Sequence, residues 1–374
     1  MEPFKEFINN SVIATLGQIY QRVSDDFDDK KFCVLASKSL EKLELKERVL
    51  QVRDALDETL PQDYGRRCEI LLGSLHSSQD TDRDGVKFSE EGVSGFAVWP
   101  LTELVAFSGL EYPEHSLAVL KEMTKRFSSE FAVRPFLIAH EEITLKTFAD
   151  WAQDANRHVR RLVSEGSRPK LPWGIRLHRF VDDPAPLIPL LAALKDDPEE
   201  YVCRSVANNL NDIAKDHAEK VVSLAGEWAI DAPASRLKLL KHACRTLIKN
   251  GDSGALKVFG YNTMNAVDAT IKIKTPRVKY GESLEFDIEA NGLNVGANLM
   301  VDYKIHFVKA NGLTAAKVFK WMDKRAIKAS TLIASRRHAI KPITTRRYYG
   351  GTHKLEVMVN GLTVGSAPFE LVMP

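Results

Sequence analysis

The chain has 374 residues, 44% of them hydrophobic and 27% charged, with a formal net charge of +2. That composition supports more than one folded core, excludes a disordered or collagen-like chain, and leaves any attraction to a polyanion to the placement of charge. The four cysteines, Cys33, Cys68, Cys203 and Cys244, form no CxxC pair, which argues against a metal site or a disulfide framework and for reduced thiols in a cytoplasm.

The opening MEPFKEFINN lacks the basic-then-apolar order of a secretory signal, and no apolar run is long enough to cross a bilayer, so a soluble protein with no membrane partner is expected. From Phe4 to about Val258, apolar residues recur at three and four, as in KEFINNSVIATLGQIYQRV and PLIPLLAALK, which predicts helices. Short turn signals such as LPQDYG, SRPKLPWG and KDDPEE break the pattern into pairs. Superposing AVRPF, VRRLV and VCRSV aligns Arg134, Arg161 and Arg204 between apolar neighbours. With the acidic turn of DDPEEYVCRSVANNL, this resembles the HEAT repeat, whose helix pairs stack into a solenoid. In that register the arginines either bridge neighbouring repeats or line a concave face.

One stretch, DWAQDANRHVRRLVSEG at 150–166, reads as a single amphipathic helix. Trp151 and Asp154, three apart, would then share a face, with Arg157, Arg160 and Arg161 in the next two turns. Together with Arg168, Lys170, Arg176 and Arg179 they make a basic cluster. After GYNTMNAVDA the period changes to two: TIKIKTPRVKYGESLEFDIEA, LMVDYKIHFVK, KLEVMVNG and SAPFELVMP alternate between Gly and Asn turns. Seven or so short strands suggest an immunoglobulin-like β-sandwich over 263–374, following an α-helical domain over 1–262. Between Lys317 and Lys354 eleven Lys and Arg face a single acid, Asp323. Part of this run, with Arg336, Arg337, Arg346 and Arg347, is expected as an exposed loop that touches phosphates, Tyr348 and Tyr349 either resting in a groove or packing within the sandwich. Two basic surfaces favour a long polyanion, double-stranded nucleic acid, over a small ligand.

The strings SSEFAVRPFL, HVRRLVSEGSRPKLPWG and VCRSVANNLNDI, in that order after LELKERV, resemble the AlkC branch of the AlkC/AlkD alkylpurine DNA glycosylases over about the first 258 residues. The C-terminal sandwich resembles the immunoglobulin-like extension of some members. The resemblance implies a multidomain α and β chain: a HEAT-like solenoid followed by an immunoglobulin-like sandwich. It also implies a monofunctional glycosylase that excises cationic methylated bases, 3-methyladenine and 3-methylcytosine, from duplex DNA without flipping them out. Asp154 is then the candidate to stabilise the sugar cation and orient water; a role confined to the helix terminus is its alternative. Glu122 is the second candidate carboxylate, in competition with Glu130. Trp151 and Trp173 are candidate contacts to lesion and sugar, Trp173 alternatively being a plug between repeats. Arg134, Arg157, Arg160, Arg161 and Arg204 are candidate phosphate ligands, joined by Asn208 and Asn209. No Schiff-base lysine, metal constellation or cofactor motif stands out, and a cytoplasmic, nucleoid-associated monomer is expected. A non-enzymatic DNA-binding scaffold and a protein-binding adaptor are the competing readings.

Overall fold

The computed structural model describes residues 3–78, 89–344 and 346–374. They fall into two compact units, 1–216 and 217–374.

The first unit is helical, and its helix starts follow from local chemistry. Asn9, Asp28 and Asp63 each accept a backbone N–H three residues ahead, and Glu44 forms a reciprocal capping box with Glu47. Prolines occupy the first turn of Trp99–Ser108, Pro113–Thr124 and Arg134–Ala139, where the missing N–H costs nothing. The HEAT-like register is realised: the helices Arg157–Gly166 and Glu200–Ile213, which carry VRRLV and VCRSV, pack side by side. Val159, Leu162 and Val163 of one and Val202, Val206 and Leu210 of the other are buried. Between them Ser164 Oγ lies 2.7 Å from Ser205 Oγ, and Asn209 Nδ2 donates to the Ser164 carbonyl at 2.8 Å.

The second unit starts with helices Ala218–Ala229, Ala234–Ala243, Arg245–Asn250 and Ser253–Val258 and continues as strands β1 (Asp268–Ile273), β2 (Arg277–Lys279), β3 (Ser283–Asn291), β4 (Leu299–Val308), β5 (Thr314–Lys324), β6 (Thr331–Ala339), β7 (Gly351–Val359) and β8 (Leu362–Val372). One sheet runs β1-β3-β6 and the other β2-β8-β7-β4-β5. Pairing is antiparallel except for β2 with β8. Phe286 and Ile288 of the first sheet share one core with Val301, Tyr303, Ile305, Leu355, Val357 and Leu371 of the second. All four cysteines are free and precede β1, so this sandwich rests on apolar packing without a disulfide.

Two features differ from the sequence reading. The change from helix to strand falls between Val258 and Asp268, near the expected boundary at 262, but the compact units part at 216/217, so the last four helices belong with the strands. Asn360 Nδ2 donates to the carbonyls of Asn262 and Asn298, and the Tyr261 hydroxyl donates to Asp323 at 2.6 Å. The basic run is also more ordered than expected, because β5 and β6 take most of it. Lys317, Phe319 and Trp321 share one face of β5; Leu332, Ala334, Arg336 and His338 share one face of β6. Charge had hidden that alternation; the connections between β5 and β6, with Arg325 and Lys328, and between β6 and β7, with Lys341, Arg346 and Arg347, lie outside the strands.

Gly251 ends a helix at φ 80° and Gly361 sits in the β7–β8 hairpin at φ 85°, and a Cβ on either would come within 2.7 Å of the other's carbonyl oxygen. Both the left-handed backbone and the close approach demand glycine. Gly361→Ala is expected to cost about 1–3 kcal/mol, read as a lower denaturant midpoint for the strand-rich unit. An unchanged midpoint would show that this contact is dispensable.

Candidate active site

The stretch 150–166 is not one helix. Glu141–Trp151 ends, a turn follows, and Arg157–Gly166 begins with Asn156 as its cap, the side chain accepting from the His158 N–H at 2.8 Å. Asp and Asn favour such turns because their side chains bond backbone two residues ahead. Asp154 does so to the Asn156 N–H at 2.8 Å. It therefore leaves the face shared with Trp151 and lies in the turn. Its other oxygen is 2.6 Å from Lys121 Nζ. Burial raises its pKa, but Lys121, the Asn156 N–H and Lys125 together hold the carboxyl below its usual value.

Lys121 and Glu122 sit near the end of Pro113–Thr124. Glu122 pairs with Lys125 at 2.6 Å and Arg126 at 3.8 Å. Asp154 and Glu122 thus share one patch of lysines. Glu130 belongs to a different network: it binds Arg161 at 2.7 Å and accepts from Ser128 Oγ. Arg161 also reaches Glu165, which is bound by Arg168 and Ser205, and Arg168 binds Asp212. Burial raises the Glu165 pKa, yet Arg161 and Arg168 bring it below normal. Of the two competing glutamates, Glu122 has 39% of its side chain exposed and Glu130 16%, so Glu122 is the freer to meet a ligand.

The two tryptophans separate. Trp151 is buried against Phe148; its area is spent in the core, and the structure removes it as a wall for sugar or base. Trp173 is 73% exposed and has φ 64°, a conformation that a bulky residue adopts only when its surroundings impose it. The enforcing group is Arg134. Its guanidinium is fully buried and donates to the carbonyls of Gly166 and Arg168 at 2.8 Å and to that of Ile175. Burial, then Arg168, lowers its pKa to about 10. Arg134 is consequently no phosphate ligand; it staples the loop that presents Trp173.

The remaining polar candidates sort by what already holds them. Arg160 forks onto Asp197 at 2.6 and 3.0 Å and donates to the carbonyls of Asp154 and Ala155, so it braces the Asp154 turn. Arg161 is enclosed by its carboxylates, with the Tyr201 ring 5.2 Å from its guanidinium. Asn209 is buried and donates to Ser164 O and Ser167 Oγ, which excludes it from a phosphate; Asn208 is half-buried on the same helix. Arg157 approaches Glu199 at 3.8 Å, and Arg204 makes an exposed pair with Glu200 at 3.0 Å. These two are the helical arginines with the most accessible charge among the candidates.

In the sandwich, Arg337 is exposed beside Glu285, Arg347 lies over Tyr349, Arg336 lies over Tyr303 and Arg346 over Phe307. Tyr348 is a core residue. The sequence reading missed Lys121, Lys125, Ser128 and Tyr201. The four-residue step from Lys121 to Lys125, flanking Glu122, was the available sign for the lysines; nothing in the sequence brings Tyr201 to Arg161.

Comparison with known proteins extends over both units. Residues 267–373 match the family model described as the C-terminal Ig-like domain of uncharacterised protein YhaZ. The uncharacterized protein YhaZ of Bacillus subtilis strain 168 is 37% identical, over 99% of this chain and 100% of that protein. The solved structure of Pseudomonas fluorescens alkylpurine DNA glycosylase AlkC, bound to DNA containing an abasic site analog, matches with TM-score 0.87 and 34% identity over 99% of this chain and 100% of that one. HEAT-like helices, an Ig-like sandwich and similarity along the whole length define the class: a HEAT-like DNA glycosylase with an Ig-like extension. Within that class the chain belongs to the AlkC branch of the alkylpurine DNA glycosylases.

Removing the Arg134 staple leaves the buried carbonyls of Gly166 and Arg168 unpaired, each costing about 1–3 kcal/mol, and frees the part-buried carbonyl of Ile175. Arg134→Met is expected to lower the melting temperature strongly while the salt dependence of duplex binding, measured below that temperature, keeps its slope. A slope reduced by about one unit with an unaltered melting temperature would return Arg134 to the phosphates.

Proposed function

We propose that this chain is a monofunctional DNA glycosylase that hydrolyses the N-glycosidic bond of cationic alkylated bases, 3-methyladenine and 3-methylcytosine, in duplex DNA, leaving the base in the stack. The observation that carries the proposal is Asp154: an ionised carboxylate fixed in a turn, one oxygen on Lys121 and the other on a backbone N–H, in a chain similar throughout to an alkylpurine DNA glycosylase.

A ring-methylated base carries a positive charge. When the bond from its nitrogen to C1′ breaks, the bonding pair stays on the base, which becomes neutral, and the positive charge passes to the sugar as an oxocarbenium ion. A fixed carboxylate stabilises that developing charge more than it stabilises the ground state. Water then adds to C1′ and loses its proton to Asp154 or to solvent, giving free base and an abasic site. Glu122, the more exposed competitor, attracts the cationic base. Trp173 offers a flat face to the deoxyribose, and Arg157 and Arg204 take backbone phosphates. A non-enzymatic scaffold would bind the same duplex without releasing base, and an adaptor would not bind it.

Asp154→Asn is expected to cut single-turnover excision of 3-methyladenine by tenfold or more, with DNA affinity within about twofold; a loss under about threefold, less than one kcal/mol of barrier, would sink the assignment. The pH dependence supplies a second check. Because Asp154 is held ionised below the usual carboxylate range, excision should persist as pH falls and fail only when that lowered pKa is crossed. Lys121→Met removes the strongest downward influence and leaves burial unopposed by it, so the acid limb should move to higher pH. An acid limb that stays in place would show that Lys121 does not tune this carboxylate.

A further inference from the structure

We propose that Lys317, Arg336 and Arg346 form a seat for one phosphate group at the side of the sandwich where edge strands β5 and β6 meet. All three are unusual in position. Lys317 shares its face of β5 with Phe319 and Trp321, and Arg336 shares its face of β6 with Leu332 and Ala334, residues that belong to or pack on the core. These are inward rows, which a sandwich ordinarily fills with apolar side chains. Arg346 comes from the β6–β7 connection.

The three cations lie on one aromatic floor. The Arg346 guanidinium is 4.0 Å from the Phe307 ring centre, Arg336 is 5.7 Å from Tyr303, and Lys317 Nζ is 5.7 Å from Phe319. Those rings are mutual neighbours: Tyr303 stacks on Phe319 at 5.2 Å, and the His338 ring is 4.5 Å from Phe319 and 5.7 Å from Tyr303. Cation–π contact holds the charges without neutralising them. Among the described residues no carboxylate lies within 4.0 Å of any of the three, and Arg336 Nε is buried with no hydrogen-bond partner. The neighbouring acids are engaged elsewhere: Glu285 pairs with Arg337, and Asp287 with Lys274 and Ser335.

His338 reports the convergence. Burial, then Arg346, Arg336 and Lys317, push its pKa down to about 4, and its Nδ1 is 2.9 Å from the Tyr303 hydroxyl. Lys317 is likewise lowered, by burial and then by Arg346 and Lys249. Three uncompensated cations around a neutral imidazole match one oxyanion, with two guanidinium forks for paired oxygens and an ammonium for the remaining charge. An inward charge also protects a sheet edge from pairing with another chain, but one charge per edge does that, without all three converging on one histidine. The phosphate belongs to a nucleic-acid backbone if the proposed function holds; the seat itself does not depend on that reading.

The test follows the His338 ring by NMR in the full chain, from about pH 3.5 to 7, with no addition, with inorganic phosphate, and with an unmodified DNA duplex. An anion in the seat offsets the three cations, so the His338 pKa is expected to rise by about one unit or more. A rise with duplex identifies a backbone phosphodiester, and a rise with inorganic phosphate alone identifies a small phosphorylated ligand; both support the seat. Arg346→Gln and Lys317→Gln should each abolish the rise and, in the duplex case, lower the salt slope of binding by about one. A His338 pKa unmoved by either addition overturns the proposal. So do variants that keep the rise but self-associate, which would assign the charges to edge protection. No methylated base and no excision enter the experiment, so its failure is separate from failure of the glycosylase assignment.

Discussion

The helical unit depends on buried guanidinium groups that serve backbone carbonyls, with or without a carboxylate beside them. Arg134 satisfies the last carbonyl of Arg157–Gly166 and two of the loop that follows it. Arg48 does the same for Leu43, Lys5 and Ile8, and Arg126 for His76 and Glu122. Helices this short leave a large share of their terminal carbonyls without partners. An arginine reaching across from a neighbouring helix answers several at once and fixes the connection. The left-handed backbone of Trp173 is tolerable only because its loop is pinned in this way.

The carboxylate site is a by-product of the same stacking. Arg160 stands on the helix after the Asp154 turn, grips Asp197 before the next repeat's second helix, and still donates to the Asp154 carbonyl. Lys121 approaches Asp154 from an earlier helix. Two helices therefore converge on one residue, which its own turn also holds, so its position depends on helix-to-helix register as well as on local sequence. A charge placed by rigid neighbours needs little reorganisation when positive charge develops nearby, which is what electrostatic stabilisation requires.

The architecture was legible because it rests on period: three and four for the helices, two for the strands, and a repeated V-R step for the stacking. The β5 and β6 strands were obscured because inward positions hold Lys317, Arg336 and His338, and counting charge suggests a loop. Asp154 and Glu122 were legible as acids among bases, but the helix break between Trp151 and Arg157 rests on Asp and Asn side chains competing for backbone N–H groups, a signal easily lost inside an amphipathic pattern. The arginines were the least legible. Arg134, Arg161 and Arg204 occupy equivalent sequence positions, yet one binds carbonyls, one binds buried carboxylates and one faces solvent. The difference lies in what each neighbouring repeat supplies, which no local spacing encodes.

That difference also decides how the near-neutral chain can meet a polyanion. Breaking Arg161 from Glu130 and Glu165, or Arg168 from Glu165 and Asp212, would strand charge in a buried network at a cost of about 3–5 kcal/mol, more than a single phosphate contact returns. The Arg204–Glu200 pair joins side chains at least half exposed, one helical turn apart, and such pairs contribute only about 0.3–0.5 kcal/mol. Exchanging Glu200 for a phosphate therefore costs Arg204 almost nothing. Pairing leaves the net charge of +2 unchanged, but it divides the cations into those locked in buried networks and those weakly held at the surface; on the proposed function, affinity for a duplex rests on exposure and on the weakness of existing partners, not on the number of basic residues.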